Sequence, residues 1–213
     1  MDAIISLLKT AAEFSGFVKR TKDIKGWLHV LEGYALMTLA ELGPGVGEIV
    51  EIGSYMGKST CWLAHGSKKV QREKIHAIDH FQGSPEHQEG GIASSEEIKH
   101  EGTTYNKFLE NIKSVDLDDY VNPVPLSSLE AVKTWDKKIR LLFIDGEHTY
   151  EGVKNDFEAW SKFVVPAGII AFHDYGNPHF PGVKKFYSEL MNSTDEYRDS
   201  FQVVKLKAIQ KKY

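Results

Sequence analysis

The stretch RLLFIDGEHTYEGVKNDFEAWSKFVVPAGIIAFHDYGNP, residues 140–178, decides the fold. It holds two short apolar runs, and each empties abruptly into a polar cluster: Asp145 and His148 after the first, His173 and Asp174 after the second. The runs are apolar on both faces rather than alternating, which favours strands of a mostly parallel sheet covered by helices. YEGVKNDFEAWSKFV between them reads as the connecting helix.

The same alternation extends outward. Upstream, residues 48–54, 74–79, the short YVNPV and 138–145 read as strands, with GKSTCWLAHGSKK, TTYNKFLENIKSV and LSSLEAVKTW as the helices between them. Downstream, residues 167–174 form a strand, GVKKFYSEL a helix, and residues 201–210 one final strand. Ahead of the sheet, Ile4, Ile5, Leu8 and Ala12 recur near helical spacing, as do Leu28, Leu31, Ala35 and Leu39, before ELGPGVGE breaks the pattern. The expectation is one doubly wound α/β domain: a two-helix N-terminal cap over 1–44 and a catalytic core over 45–213. Apolar N-terminal helices with no sheet face to cover would pack against a second copy, giving a homo-oligomer. The polar, glycine-rich segment 80–102, with a short helix inside, is either a surface excursion or, since it follows a strand's carboxyl end, a substrate lid.

Composition narrows the function classes. The 26 basic and 30 acidic residues are mixed, for a net charge of −4, and exert no strong pull on nucleic acid. Lys68, Lys69, Arg72 and Lys74 form a modest basic run without interleaved aromatics. The single cysteine, Cys61, cannot form a disulfide within the chain, and the start carries no secretory pattern, so a reduced, cytoplasmic setting is expected. The longest apolar stretches fall short of the roughly 20 residues needed to cross a bilayer.

In an open parallel sheet, ligands collect outside the carboxyl ends of the strands. Every polar cluster falls there: Glu51, Gly53 and Ser54, then Asp79 and His80, then Asp145 to His148, then His173 and Asp174. In EIVEIGSYMGKST, Gly53 and Gly57 permit a tight turn that brings backbone N–H groups toward a ligand, and Ser59 opens the helix behind. A Walker loop needs four residues between its first glycine and the GK pair, and only three separate Gly53 from Gly57. The nicotinamide fingerprint fails as well, because Tyr55 takes a glycine's place. Glu51 would repel a diphosphate but suit a cationic or hydroxylated cofactor, and Asp79 is placed to accept from a ribose diol. A cofactor with an amino-acid ammonium and a ribose but no phosphate fits both carboxylates, and S-adenosylmethionine is such a molecule.

EIGSYMGKST, IDHF at 78–81, FIDGEHTY at 143–150, the D-x-x-x-W helix at 156–160 and GIIAFHDY at 168–175 together resemble the class I S-adenosylmethionine-dependent methyltransferases. More narrowly the chain is similar to their metal-dependent O-methyltransferase branch, which includes macrolide-sugar O-methyltransferases and cephalosporin-hydroxylase-like proteins. The resemblance covers residues 45–210 and implies a Rossmann-like, seven-stranded sheet whose last strand is antiparallel. It also implies a divalent cation on Asp145 and Asp174, and His148 as general base toward a substrate hydroxyl. Carboxylates ending neighbouring strands can converge on one ion, with Mg²⁺ the first choice and Mn²⁺ a substitute. Relatives often carry two acids in the second cluster, where this chain has His173 then Asp174. His173 is therefore either a ligand favouring a softer ion or a structural histidine, since adjacent strand residues face opposite ways.

Other residues carry two readings. Tyr55 could cover the cofactor and His80 lies beside its adenosine. Ser127 and Ser128 could meet the adenine edge or cap LSSLEAVKTW, with Glu130 three residues beyond Ser127 favouring the cap. Cys61, Trp135, Trp160, His65, His76 and His100 read as structural. The expected function is methyl transfer to a hydroxyl of a small molecule. The alternative is a metal-dependent hydrolase or non-haem oxygenase built on the same Asp/His cluster, which leaves Glu51, Gly53 and Asp79 unexplained.

Overall fold

The computed structural model describes residues 2–84 and 87–213, so residues 85 and 86 of the segment 80–102 lie outside the described residues. Seven strands form one sheet: β1 (Glu48–Ile52), β2 (Ile75–Ile78), β3 (Val121–Val124), β4 (Ile139–Ile144), β5 (Val164–Phe172), β6 (Tyr197–Val203) and β7 (Leu206–Lys211). Their order is β3-β2-β1-β4-β5-β7-β6. Neighbours among β1 to β5 pair in parallel, while β7 runs antiparallel to both β5 and β6.

The helices are α1 (Asp2–Thr21), α2 (Val30–Leu42), α3 (Lys58–Lys69), α4 (Glu96–Glu101), α5 (Tyr105–Ser114), α6 (Ser128–Ala131), α7 (Tyr150–Trp160) and α8 (Pro181–Ser193). They explain why the strands lack polar alternation. Ile49, Leu141, Phe143 and Ile169 face a core shared with α2, α3 and α5. Val50, Leu142, Ile144 and Phe172 face a second core shared with α7 and α8. Both faces are covered, and both must be apolar. The strand order reverses between β1 and β4, because the chain leaves β1 toward β2 and later returns to β4 on the other flank. That reversal opens a crevice at the carboxyl ends.

Two expectations are corrected. Residues 201–210 are not one strand: Val204, at φ 51°, turns the chain, so β6 and β7 form a hairpin and supply the seventh strand. The N-terminal helices do not lack a surface to cover. α2 buries Gly33, Leu36, Met37 and Ala40, and a Cβ at Gly66 of α3 would lie 2.1 Å from the Met37 carbonyl oxygen, so only glycine permits this approach. Phe17 of α1 joins the same core, while Ile4, Ile5 and Leu8 near the start of the helix are exposed. α2 begins at Val30, where His29 and Glu32 form a reciprocal capping box.

The opposite end of the sheet is anchored by Arg140, which is 1 % exposed. Its guanidinium donates to Glu73 and to the last carbonyls of α2, Leu39 O at 3.0 Å and Ala40 O at 2.6 Å. A cation at a helix carboxyl end satisfies carbonyls that have no partner within the helix.

Candidate active site

A cavity of about 700 Å³ opens at the carboxyl ends of the strands. Its wall is continuous from Gly53, Ser54, Asp79, His80 and Ser127 on one side to Asp145, His148, His173 and Asp174 on the other. That volume is in the range of a small-molecule or cofactor site.

The first side is built on the turn after β1. Gly53 has φ +85°, and a Cβ there would lie 2.1 Å from the Asp145 carbonyl oxygen, so glycine lets the ends of β1 and β4 meet. Asp79 fixes the turn: its Oδ2 accepts from Ser54 N at 2.9 Å and Tyr55 N at 2.8 Å, and its Oδ1 accepts from Phe81 N at 2.6 Å. Ser54, Tyr55 and Ser59 line the cavity, whereas Gly57, the N-cap of α3, sits behind its wall.

Glu51 is placed differently from the expectation. It is fully buried and is not on the cavity wall. Its Oε2 accepts from Ser54 Oγ at 2.8 Å and from Thr60 Oγ1, while Oε1 has no partner. Burial pushes its carboxyl up to about 7 against the opposing pull of the Ser59, Thr60 and Ser54 hydroxyls. Its contribution to stability is therefore full below the ordinary carboxylate range and is lost as pH rises through about 7. Glu51 holds the glycine turn from beneath.

The segment 80–102 reaches over the cavity, to which it contributes Gly83, Ser84, His87, Ile92 and Ala93. The His87 ring stacks on Tyr55, with centroids 5.0 Å apart, and on Trp27 at 5.2 Å, while Lys25 and Glu97 pair at 2.7 Å. These contacts tie the segment to the N-terminal connection and to the β1 turn.

Ser127 forms a capping box with Glu130, which favours its capping reading, although it also lines the cavity. Ser128 donates to Asp156, a buried cavity residue whose carboxyl burial pushes up to about 6. Asp156 lay within the D-x-x-x-W helix, where its spacing to Trp160 was the visible signal and its contact with Ser128 was not.

The second side gathers Asp145, His148, His173 and Asp174, with one ligand atom from each within 4.8 Å of the others. His173 Nδ1 lies 2.9 Å from Asp145 Oδ1 and 3.6 Å from Asp174 Oδ2, and His148 Nε2 lies 3.3 Å from each of the same oxygens. Alternation along a strand would send His173 and Asp174 to opposite faces. Asp174 escapes this because β5 ends at Phe172 and Asp174 takes φ 55°, so both side chains enter the cavity. Asn177 Nδ2 holds the other Asp174 oxygen at 2.6 Å, and Phe180 stacks on the His148 ring at 4.4 Å.

Charge is tightly coupled here. Burial works to raise the Asp145 carboxyl, but the His173 charge and hydrogen bonds from both histidines outweigh it and hold the group down at about 2. Burial works to lower His173, and Asp145, Glu32 and Asp174 outweigh it, raising the imidazole well above its usual value. Two carboxylates and two imidazoles converging on one point are a donor set that fits a divalent cation, which would take the place of the shared protons.

The structural histidines stay outside this group. His65 stacks on Phe17, His76 bridges Glu48 and Asn122, and His100 pairs with Glu96 on α4. Cys61 and Trp160 are buried in the two cores.

Comparison with known proteins agrees with this architecture. A family described as "Methyltransferase domain" matches residues 50–175, more than half of the chain. An uncharacterized protein of Acanthamoeba polyphaga mimivirus is 30% identical over 150 residues, 66% of this chain and 59% of that protein. An uncharacterized protein of Sinorhizobium fredii (strain NBRC 101917 / NGR234) is 30% identical over 144 residues, 67% of this chain and 15% of that one, so the chain spans only part of these curated relatives. Among solved structures, the O-methyltransferase NovP superposes with a TM-score of 0.67 at 18% identity, covering 86% of this chain and 79% of that one. The O-methyltransferase from Bacillus cereus in complex with SAH gives 0.63 at 19% identity, covering 95% and 91%. CalS11, a calicheamicin methyltransferase, gives 0.63 at 19%, covering 84% and 77%. At these identities the superpositions speak for the fold, a Rossmann-like methyltransferase sheet. With that fold, and with the family match spanning β1 to the end of β5 and both sides of the cavity, this chain belongs to the methyltransferase-domain family.

Proposed function

We propose that the protein is an S-adenosylmethionine-dependent O-methyltransferase acting on a hydroxyl of a small molecule, with a divalent cation held by Asp145, His173 and Asp174 and with His148 as base. The observation that carries this reading is the single cavity that joins the Gly53–Asp79 turn to the Asp/His cluster. A hydrolase or oxygenase built on the cluster alone would have no use for the other half.

S-adenosylmethionine would supply the electrophilic methyl group, and the cation would lower the acceptor hydroxyl's pKa and orient it. The chain's own residues do the rest. Asp79 Oδ2 is engaged by two backbone N–H groups, but Oδ1 receives only one and keeps a lone pair for a ribose hydroxyl. Ser54, Tyr55 and Ser59 line the wall beside it, His80 and the serines Ser127 and Ser128 border the nucleoside end, and Glu51 supports the turn from below. His148, with Nε2 turned toward the acids and its ring seated on Phe180, would take the hydroxyl proton. The segment 80–102 acts as a lid that excludes water, clasped by Trp27 and Tyr55.

His173 as a ligand changes the choice of metal. An imidazole beside two carboxylates shifts preference from Mg²⁺ toward Mn²⁺, Fe²⁺ or Zn²⁺. A small-molecule acceptor is supported by the calicheamicin methyltransferase among the fold neighbours. No helix among the described residues is long and apolar enough to cross a membrane, and the buried free thiol of Cys61 suits the cytoplasm. The exposed Ile4, Ile5 and Leu8 are the surface through which α1 would pair with a second copy.

Calorimetric titration with S-adenosylhomocysteine is expected to show saturable binding. Asp79→Ala should weaken it by about 1.5–3 kcal/mol, the worth of a hydrogen bond to a charged acceptor. An intact protein that shows no binding up to millimolar ligand would refute the cofactor assignment.

A further inference from the structure

Glu32 belongs to α2, in the N-terminal cap, yet its carboxylate is 1 % exposed and lies against the cluster. Its Oε2 is 3.2 Å from His173 Nε2 and accepts from His29 N at 2.8 Å, and its Oε1 accepts from Lys205 N at 2.7 Å. We propose that Glu32 is a positioning residue that fixes the ring tautomer of His173, keeping the proton on Nε2 so that Nδ1 presents its lone pair to the cation. The inference rests on the metal-assisted reading given above.

Two of the three groups that meet Glu32 are backbone N–H groups, which can only donate. Between them they claim both carboxylate oxygens, so His173 Nε2 must also donate, and the ring nitrogen that can give up its proton to a cation is Nδ1. That nitrogen is the one facing Asp145 at 2.9 Å. A carboxylate behind a metal-bound histidine also raises the ring's basicity as a ligand. Glutamine cannot replace it, because its NH₂ would face either Lys205 N–H or the His29 N–H and His173 pair. In the second orientation the amide donates to Nε2 and turns an N–H toward the cation. The same contacts tie α2 to the β6–β7 turn at Lys205, whose carbonyl accepts from Tyr175 N at 2.9 Å just beyond Asp174.

The test is calorimetric titration of the full chain with Mn²⁺. Glu32→Gln is expected to weaken Mn²⁺ about 10- to 100-fold. S-adenosylhomocysteine affinity, measured without metal, should stay within about two-fold, since that ligand binds the other half of the cavity. In a His173→Ala background, Glu32→Gln should cause no further loss of Mn²⁺ affinity. Unchanged Mn²⁺ affinity in the single variant, or equal losses in the two backgrounds, overturns the proposal. Should Glu32→Gln fail to fold, nitrogen NMR of the unaltered protein with Zn²⁺ decides between metal on Nδ1 with a protonated Nε2, as expected, and metal on Nε2, which overturns it. A normal protein that takes up no Mn²⁺ sinks the metal reading and this proposal together, whereas an indifferent Glu32→Gln sinks this proposal alone.

Discussion

His148→Ala is expected to lower methyl transfer by about 10²- to 10⁴-fold at saturating metal, cofactor and acceptor, the usual contribution of a positioned acid–base group. The expectation rests on placement: Nε2 is 3.3 Å from one oxygen of Asp145 and 3.3 Å from one of Asp174, and the ring is held flat on Phe180. Those distances serve a base, and they also serve a fourth ligand. The two roles separate by measurement. A base variant keeps its Mn²⁺ and S-adenosylhomocysteine affinities, and its lost turnover does not return when metal is raised. A ligand variant binds Mn²⁺ more weakly and recovers rate with excess metal. Retention of more than about half of the turnover at saturation would rule out the base role, since even the weakest such group contributes far more.

Arg140→Met is expected to destabilise the fold by about 2–3 kcal/mol, because it removes three donors from a buried network: Ala40 O loses its side-chain partner, Leu39 O keeps only Gly43 N, and Glu73 keeps only Arg72. The guanidinium is buried and joins β4 to the end of α2 and to Glu73 in one network. The site lies at the other end of β4, so affinity for S-adenosylhomocysteine should be unaltered. Urea denaturation reads the effect as a lower midpoint with the same slope. A shift worth less than about 1 kcal/mol would mean that water replaces the lost contacts. The double change Arg140→Met with Glu73→Leu should recover part of the loss, as apolar replacement of a whole buried pair does.

The sequence made the site's address legible because doubly wound sheets put polar residues at strand ends, and the apolar runs before Asp145 and His173 mark those ends by contrast. Three features were hidden for identifiable reasons. The β6–β7 hairpin turns at Val204, a β-branched residue at positive φ, so no glycine or asparagine announces the turn. The joint entry of His173 and Asp174 depends on a positive φ at Asp174, which strand alternation argues against. Glu32 is 141 residues from His173, and within α2 it reads as an ordinary capping-box glutamate. Glu51 shows how burial redirects a strand-end carboxylate. A carboxylate ending an apolar strand suggested a ligand contact, but its position on a central strand, paired with Ala77 and Phe143, points it into the hydroxyls of Ser54 and Thr60 rather than into the cavity.

On the proposed reading, one cavity would hold an adenosyl cofactor at its β1–β2 end and a divalent cation at its β4–β5 end. A crystal of the protein soaked with both Mn²⁺ and S-adenosylhomocysteine, with anomalous data collected for manganese, tests it most directly. An anomalous peak bonded to Asp145, Asp174 and His173 Nδ1 is expected, with S-adenosylhomocysteine in the same cavity and its ribose at Asp79. Manganese bound elsewhere, or a nucleoside lying outside the Gly53–Asp79 turn, would contradict it.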